Sequence, residues 1–169
     1  MNAKLYNIIR FLIISTMGVL LHFTYEWTDK NLAVGIFSAV NESTWEHLKL
    51  IFFPMFALTM WEYIRNSGQP DGFIQARTLG IICGMLFTIV VFYTIYGVFG
   101  KPAEFVNIII YFLSVIFALW VEAKVYSSSL RLSPFTCIAI LLFIAGAFAV
   151  FTFKAPNTGI FYDFGKSNT

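Results

Sequence analysis

The residues best suited to chemistry in this chain are His22 and Glu26, in HFTYEW (22–27), and Glu46 and His47, in AVNESTWEHLKLIFFPMF (39–56). Histidine and carboxylate are the usual proton-transfer pair, and burial tunes both. The four are therefore candidate catalytic residues. The same residue types suit zinc or a similar divalent metal. His22 and Glu26 are four apart and share one helical face, so His22, Glu26 and His47 are the metal candidates. Glu46 and His47 diverge by about 100° around a helix, which argues against all four gripping one ion. Asn41, Glu42, Trp45, Tyr93 and Asn107 are candidates for contacting a ligand. No G-x-S-x-G nucleophile motif is present.

The elements that must position these residues are membrane spans. The chain has 169 residues, 59% hydrophobic and 12% charged, with mean hydropathy +0.77. An ordinary soluble domain carries about 25% charged residues. The apolar content excludes disorder. A net charge of +2 gives no basis for nucleic-acid binding, and no basic amphipathic helix points to peripheral attachment. The fold class is all-α, a polytopic bundle in one integral membrane domain over 1–169. Five spans fit, at roughly 7–27, 41–66, 74–99, 103–125 and 132–154, each near or above the ~20 residues a crossing needs. NSGQPDG (67–73), KP (101–102) and SSSLRLSP (127–134) supply the turn chemistry between them. Cys83 and Cys137 lie inside apolar runs and read as small hydrophobes, not as a disulfide or a zinc pair. The first span resembles a signal sequence but has no small-residue cleavage site, so it reads as uncleaved.

Lys4, Arg10, Arg65, Arg77, Lys124 and Arg131 fall on one side of this topology; Lys30, Lys101, Lys154 and Lys166 fall on the other. The bias places the N-terminus in the cytoplasm and the C-terminus outside the cell membrane. His22 then sits about 7 Å inward of Trp27, and His47 about 9 Å below Asn41. Both histidines reach similar depths on neighbouring antiparallel helices. Glu26, Asp29, Glu42, Glu46, Glu104 and Asp163 fall on the same outer side. Ionisable groups inside a bilayer cost from about 2.5 to over 10 kcal/mol each at its centre, so they pair, line a wet cavity or bind something.

Some of these charges have structural readings. Asn41 or Ser43 can cap the second span, and Ser43 with Glu46 fits a capping box. Glu42 and Glu46 are favoured near a helix N-terminus and can pair with Lys49. Pro54 should kink the helix by freeing the Leu50 carbonyl. Glu62 with Arg65, and Glu122 with Lys124, read as local ion pairs or snorkelling groups.

HFTYEW (22–27), NLAVGIFSAVNESTWEHLKLIFFP (31–54) and FTFKAP…FYD (151–163) resemble a family of small bacterial integral membrane proteins, a domain of unknown function seen mostly in Gram-positive and anaerobic bacteria. NESTWEHLK is the specific run. The family's longer glycine- and tyrosine-containing tail is replaced here by FGKSNT. The resemblance implies a membrane location and supplies no activity. A looser likeness of layout, with His22, Glu26 and Glu42 as counterparts, links the chain to the emopamil-binding and sigma-2-like membrane proteins, some of which isomerise sterols.

Three functions follow as expectations. The first is a membrane-embedded enzyme acting on a lipid or amphiphile, with or without a divalent metal. The second is a small-solute or ion transporter, which a single copy of five spans without an inverted repeat fits poorly. The third is a structural membrane protein whose polar cluster serves packing only.

Overall fold

The computed structural model describes residues 2–65, 69–100, 103–128, 130, 132–157 and 159–164. Lys101, Arg131 and Lys166 of the charge bias, part of the NSGQPDG loop, the KP pair and the end of the FGKSNT tail lie outside the described residues. Five long helices run through the chain: α1 (Ala3–Trp27), α3 (Thr44–Arg65), α4 (Phe73–Phe99), α5 (Glu104–Tyr126) and α6 (Pro134–Phe153). A single helical turn, α2 (Leu32–Gly35), and a short 3-10 turn at Gly159–Phe161 complete the elements. The Lys4–Trp27 stretch of α1, α4, the Phe105–Tyr126 stretch of α5 and α6 are long and apolar enough to cross a membrane.

The local chemistry explains the boundaries. Asn2 caps α1 by accepting from the Lys4 N–H at 3.0 Å, as short polar side chains do at N-caps. Beyond α1 the chain turns through Asp29 and Lys30, both with positive φ, and Asn31 caps α2 by accepting from the Ala33 N–H. Gly100, at φ 77°, ends α4, and Pro134 opens α6, where its missing N–H costs nothing. The second span is shorter than the sequence suggests. Residues 36–43 form a loop, and α3 begins at Thr44.

α3 is a deeply buried helix of the bundle. It buries residues on every face, among them Leu48, Ile51, Phe52 and Met55. α1, α3, α4 and α5 form a ring, and α6 packs outside it against α4 and α3. Pro54 sits within α3 and has no N–H to give the Leu50 carbonyl.

The charges toward the N-terminal end of α1 do not pair locally, contrary to the sequence reading. Arg65 lies over the Trp61 ring and Lys124 over Trp120. Glu62 and Glu122 turn inward instead. Glu122 takes Arg10 Nη2 at 2.7 Å and Arg77 Nη1 at 2.8 Å. Arg77 also pairs with Glu62, and the Tyr6 hydroxyl donates to Glu62 at 2.7 Å and accepts from Arg77 at 2.9 Å. Two arginines and two glutamates from α1, α3, α4 and α5 thus neutralise one another. Gly80 makes room for this: a Cβ there would strike the Glu122 side chain.

A second buried ion pair organises the opposite end. Lys49, fully buried, donates to Glu46 at 2.6 Å, to the Gly35 carbonyl at 2.8 Å and to Thr152 Oγ1 at 2.6 Å. It ties α3 to α6 and to the 36–43 loop. Ser38 pins that loop to α1, accepting from the Tyr25 N–H at 3.0 Å and donating to the Leu21 carbonyl.

Candidate functional site

Three side chains meet where α1 ends and α3 begins. His22 comes from the penultimate turns of α1, His47 from the first turn of α3, and Glu42 from the loop that Lys49 and Ser38 hold in place. Glu42 Oε1 lies 4.0 Å from His22 Nε2, and Oε2 lies 3.4 Å from His47 Nε2. The imidazole centroids are 5.3 Å apart. One ligand atom from each residue falls within 4.8 Å of the others.

The backbone sets the form of His47. Its Nδ1 lies 2.9 Å from the Ser43 carbonyl. A carbonyl only accepts, so Nδ1 carries a proton, and in the neutral ring the Nε2 lone pair faces Glu42 and His22. Orienting a ligating histidine through its other nitrogen is the usual outer-shell device of metal sites. Glu42 is steadied from behind, where its N–H donates to Asp163 Oδ1 at 3.3 Å.

Beneath this cluster lies a cavity of about 560 Å³ between α1, α3, α4 and α5. That is the size of a small-molecule site. Its upper wall carries His22, Glu42, His47, Thr44, Tyr96 and Asn107; its lower wall is apolar, with Val19, Leu50, Ile51 and Ile110. Tyr111 closes the floor, its hydroxyl donating to the Ile14 and Ser15 carbonyls at 3.1 and 3.3 Å. Gly18 permits this, because a Cβ would meet the Tyr111 hydroxyl and the Leu50 carbonyl.

The sequence candidates separate here. His22, Glu42, His47 and Asn107 line the cavity. Glu26 does not: it lies out by Lys30, 3.8 Å away, on the exposed side of α1. Glu46, beside His47, points the opposite way, to Lys49 and the Val40 N–H, as the 100° helical step requires. The capping box is half formed. Ser43 Oγ accepts from the Glu46 N–H at 3.3 Å, but Asn41, not Glu46, accepts from the Ser43 N–H at 2.9 Å. Asn41 thus closes a turn just before α3, Ser43 is the cap, and Trp45 packs against Phe148, Phe151 and Phe161 on the far face of α3. Tyr93 stands one shell out, accepting from Thr44 at 3.4 Å. Sequence reasoning missed the role of the tail. Phe161 covers Trp45, Asp163 reaches Glu42, and Phe164 packs on Phe92 and Tyr96 as part of the cavity wall. The aromatic–aspartate run FYDF was its only signal.

The donor set fits a divalent ion. Bonds of about 2.0–2.1 Å in tetrahedral geometry place ligand atoms about 3.3 Å apart. Here one ligand atom from each residue lies within 4.8 Å of the others, so the side chains must close in by rotation to grip an ion. The 3.4 and 4.0 Å separations from Glu42 exceed the 2.7–3.2 Å of a direct hydrogen bond.

The chain belongs to a family of unknown function, DUF6512, whose model matches residues 1–167. No curated protein and no solved structure matches it.

Proposed function

We propose that this membrane protein is a metal-dependent enzyme that holds a divalent ion between His22, Glu42 and His47 and acts on an amphiphile seated in the cavity below. The observation that carries this reading is the convergence of one ligand atom from each of His22, Glu42 and His47 to within 4.8 Å, with the Glu42 oxygens 4.0 Å from His22 Nε2 and 3.4 Å from His47 Nε2, at the polar end of an apolar cavity. Two imidazoles and a carboxylate leave coordination positions open, and such an ion activates water or polarises a carbonyl or phosphoryl oxygen. Hydrolysis of an ester, amide or phosphoester near the head of the amphiphile is the reaction class. His47 presents its lone pair because Ser43 holds its other nitrogen. Glu42 supplies negative charge to both histidines. Ile51, Val19 and Ile110 hold the hydrocarbon and exclude water. We place the N-terminus in the cytoplasm and the cavity at the outer leaflet on the Lys and Arg distribution of the sequence, although Arg10 and Arg77, two of the six cations counted inside, are buried in α1 and α4 and not in loops.

The test is metal content by mass spectrometry after purification in mild detergent without chelators. Wild type should carry about one divalent ion per chain, and a His22→Ala/His47→Ala double variant none. A folded, metal-free wild type that takes up neither zinc nor manganese on titration would sink the metal reading. The cluster would then be a proton relay between Glu42 and the histidine pair.

A further inference from the structure

Resting on the reading that the cavity holds an amphiphile, we infer that this ligand has a single hydrocarbon chain with a hydroxyl or amide N–H beside its head, and that it enters sideways from the bilayer between α1 and α5.

Three wall residues carry the entry route. Val19, Phe23 and Ile108 line the cavity, and yet 40%, 46% and 55% of each is exposed on the outside of the bundle. No other large apolar residue described does both. Two are on α1 and one is on α5, so the exposure lies along one seam. The seam is closed below. Tyr111 bonds to the Ile14 and Ser15 carbonyls across it, against the bare face of Gly18. One turn above, the helices part around the cavity. The outer surfaces of α1 and α5 are apolar along their lengths, with Leu12, Leu20, Ile109 and Ile116 all exposed. A gap in such a surface opens onto acyl chains, not water. A hydrocarbon chain passing through it leaves one apolar medium for another, so no hydrophobic transfer opposes its entry.

The ligand class follows from size and from one amide. A cavity of about 560 Å³ holds a drug-sized molecule, the bulk of one chain and a small head. Asn107, beside Ile108 at the seam, has its Oδ1 buried with no hydrogen-bond partner. Buried polar atoms are nearly always bonded, and Asn107 lines the cavity. A hydroxyl or amide N–H on the ligand satisfies it, and places the head one step from His22 and Glu42. Monoacyl glycerols and acyl amides have this chemistry. A two-chain phospholipid has the wrong bulk.

The experiment uses the full chain in phosphatidylcholine nanodiscs, doped with a monoacylglycerol bearing a nitroxide on its chain. Electron paramagnetic resonance reports the immobilised fraction. A diacyl lipid with the same label serves as the boundary-lipid control. Wild type should immobilise about one monoacyl probe per chain above that control. Val19→Trp/Ile108→Trp should reduce this at least fivefold, and Asn107→Leu about tenfold in affinity. Equal immobilisation of the diacyl probe, or no loss in the blocked variant, overturns the inference. If the double tryptophan variant does not fold, Phe23→Ala replaces it: a wider seam should speed probe exchange, and an unchanged rate overturns the route. Bound metal is measured on the same samples. Metal without an immobilised chain overturns this inference alone; a seam-dependent chain without metal overturns the metal reading alone.

Discussion

The bundle contains two charged clusters threaded by the same helices, and they are built on opposite plans. Arg10 and His22 are twelve residues apart on α1, so the clusters stand about 18 Å apart along it. Around Arg10, two arginines and two glutamates have side-chain exposures of 1–6%, and the arginine contacts to Glu122 are 2.7 and 2.8 Å. Around His22, exposures are 26–53% and the contacts stretch to 3.4 and 4.0 Å. The charges of the first cluster cancel. The second faces a void and keeps its lone pairs unspent. Charges that complete each other brace helices, whereas charges that converge without closing are poised to hold something else.

The largest effect that would test this contrast is at Arg77. Arg77→Met leaves Glu62 without its cation and Glu122 with one instead of two. Removing one partner from a buried ion network costs about 3–5 kcal/mol. Thermal unfolding in detergent should show it as a large drop in midpoint, while any folded fraction still binds metal. A midpoint within a degree or two of wild type would show that the inner cluster braces nothing.

Lys49 comes next and sharpens the contrast. It is two residues from His47 in sequence, yet it is fully buried and bonded to four groups. By chemistry it belongs with the inner cluster. Lys49→Met should cost about 3 kcal/mol, because Glu46 is left buried and unpaired. It should also loosen the 36–43 loop and weaken metal binding through Glu42. If stability is unchanged and only binding falls, Lys49 belongs to the site instead.

A smaller effect marks the boundary between the regions. Gly18→Ala pushes a methyl into the Tyr111 hydroxyl and the Leu50 carbonyl. Overpacking of this kind costs about 1–3 kcal/mol. Adding Tyr111→Phe should recover part of the loss in unfolding midpoint, since it removes one of the two colliding oxygens. No recovery would mean that the Leu50 carbonyl and the Tyr111 ring carbon, 2.5 and 2.7 Å from the added methyl, set the limit.

Much of this architecture is legible in the residues. Hydropathy and the turn pairs give α1, α4, α5 and α6, because a crossing of the bilayer needs about 20 apolar residues and these four are long and apolar enough for one; α3, with Glu46, His47 and Lys49 in its first turns, is a long helix but not one of those four. The meeting of His22 with His47 follows from helical rise on two antiparallel neighbours. What fails is the choice of partner. Glu26 is four residues from His22, but a carboxylate at the free end of a helix finds Lys30 and water first. Glu46 is adjacent to His47, and for that reason faces the other way. Glu42 wins because the loop before Thr44 bends back, and that bend depends on Lys49 and Ser38 reaching α2 and α1. Glu62 and Glu122 mislead for a related reason: the nearest cations in sequence stack on tryptophans, and the partners come from other helices. Long-range pairing within a bundle leaves no mark at short spacing.

The smallest expected change in stability, and the most telling, is at the outer cluster itself. His47→Ala loses one bond to the Ser43 carbonyl in a first helical turn, worth about 0.5–1.5 kcal/mol. Glu42→Gln keeps the shape and removes a charge that is half exposed, where pairs contribute about 0–1 kcal/mol. Both should unfold close to wild type. Both should lose metal affinity by at least the 10–100-fold that altering even an outer partner of a ligand costs. Acid should release the ion from wild type as well, because a protonated imidazole has no lone pair to give. Measured together, unfolding midpoint and metal uptake separate the two plans. A braced cluster loses stability when cut; a binding cluster loses its ion and little else. If His47→Ala and Glu42→Gln each cost several kcal/mol and wild type takes up no ion, the outer cluster is a second brace, held apart only because its histidines are too long-limbed to close on one carboxylate.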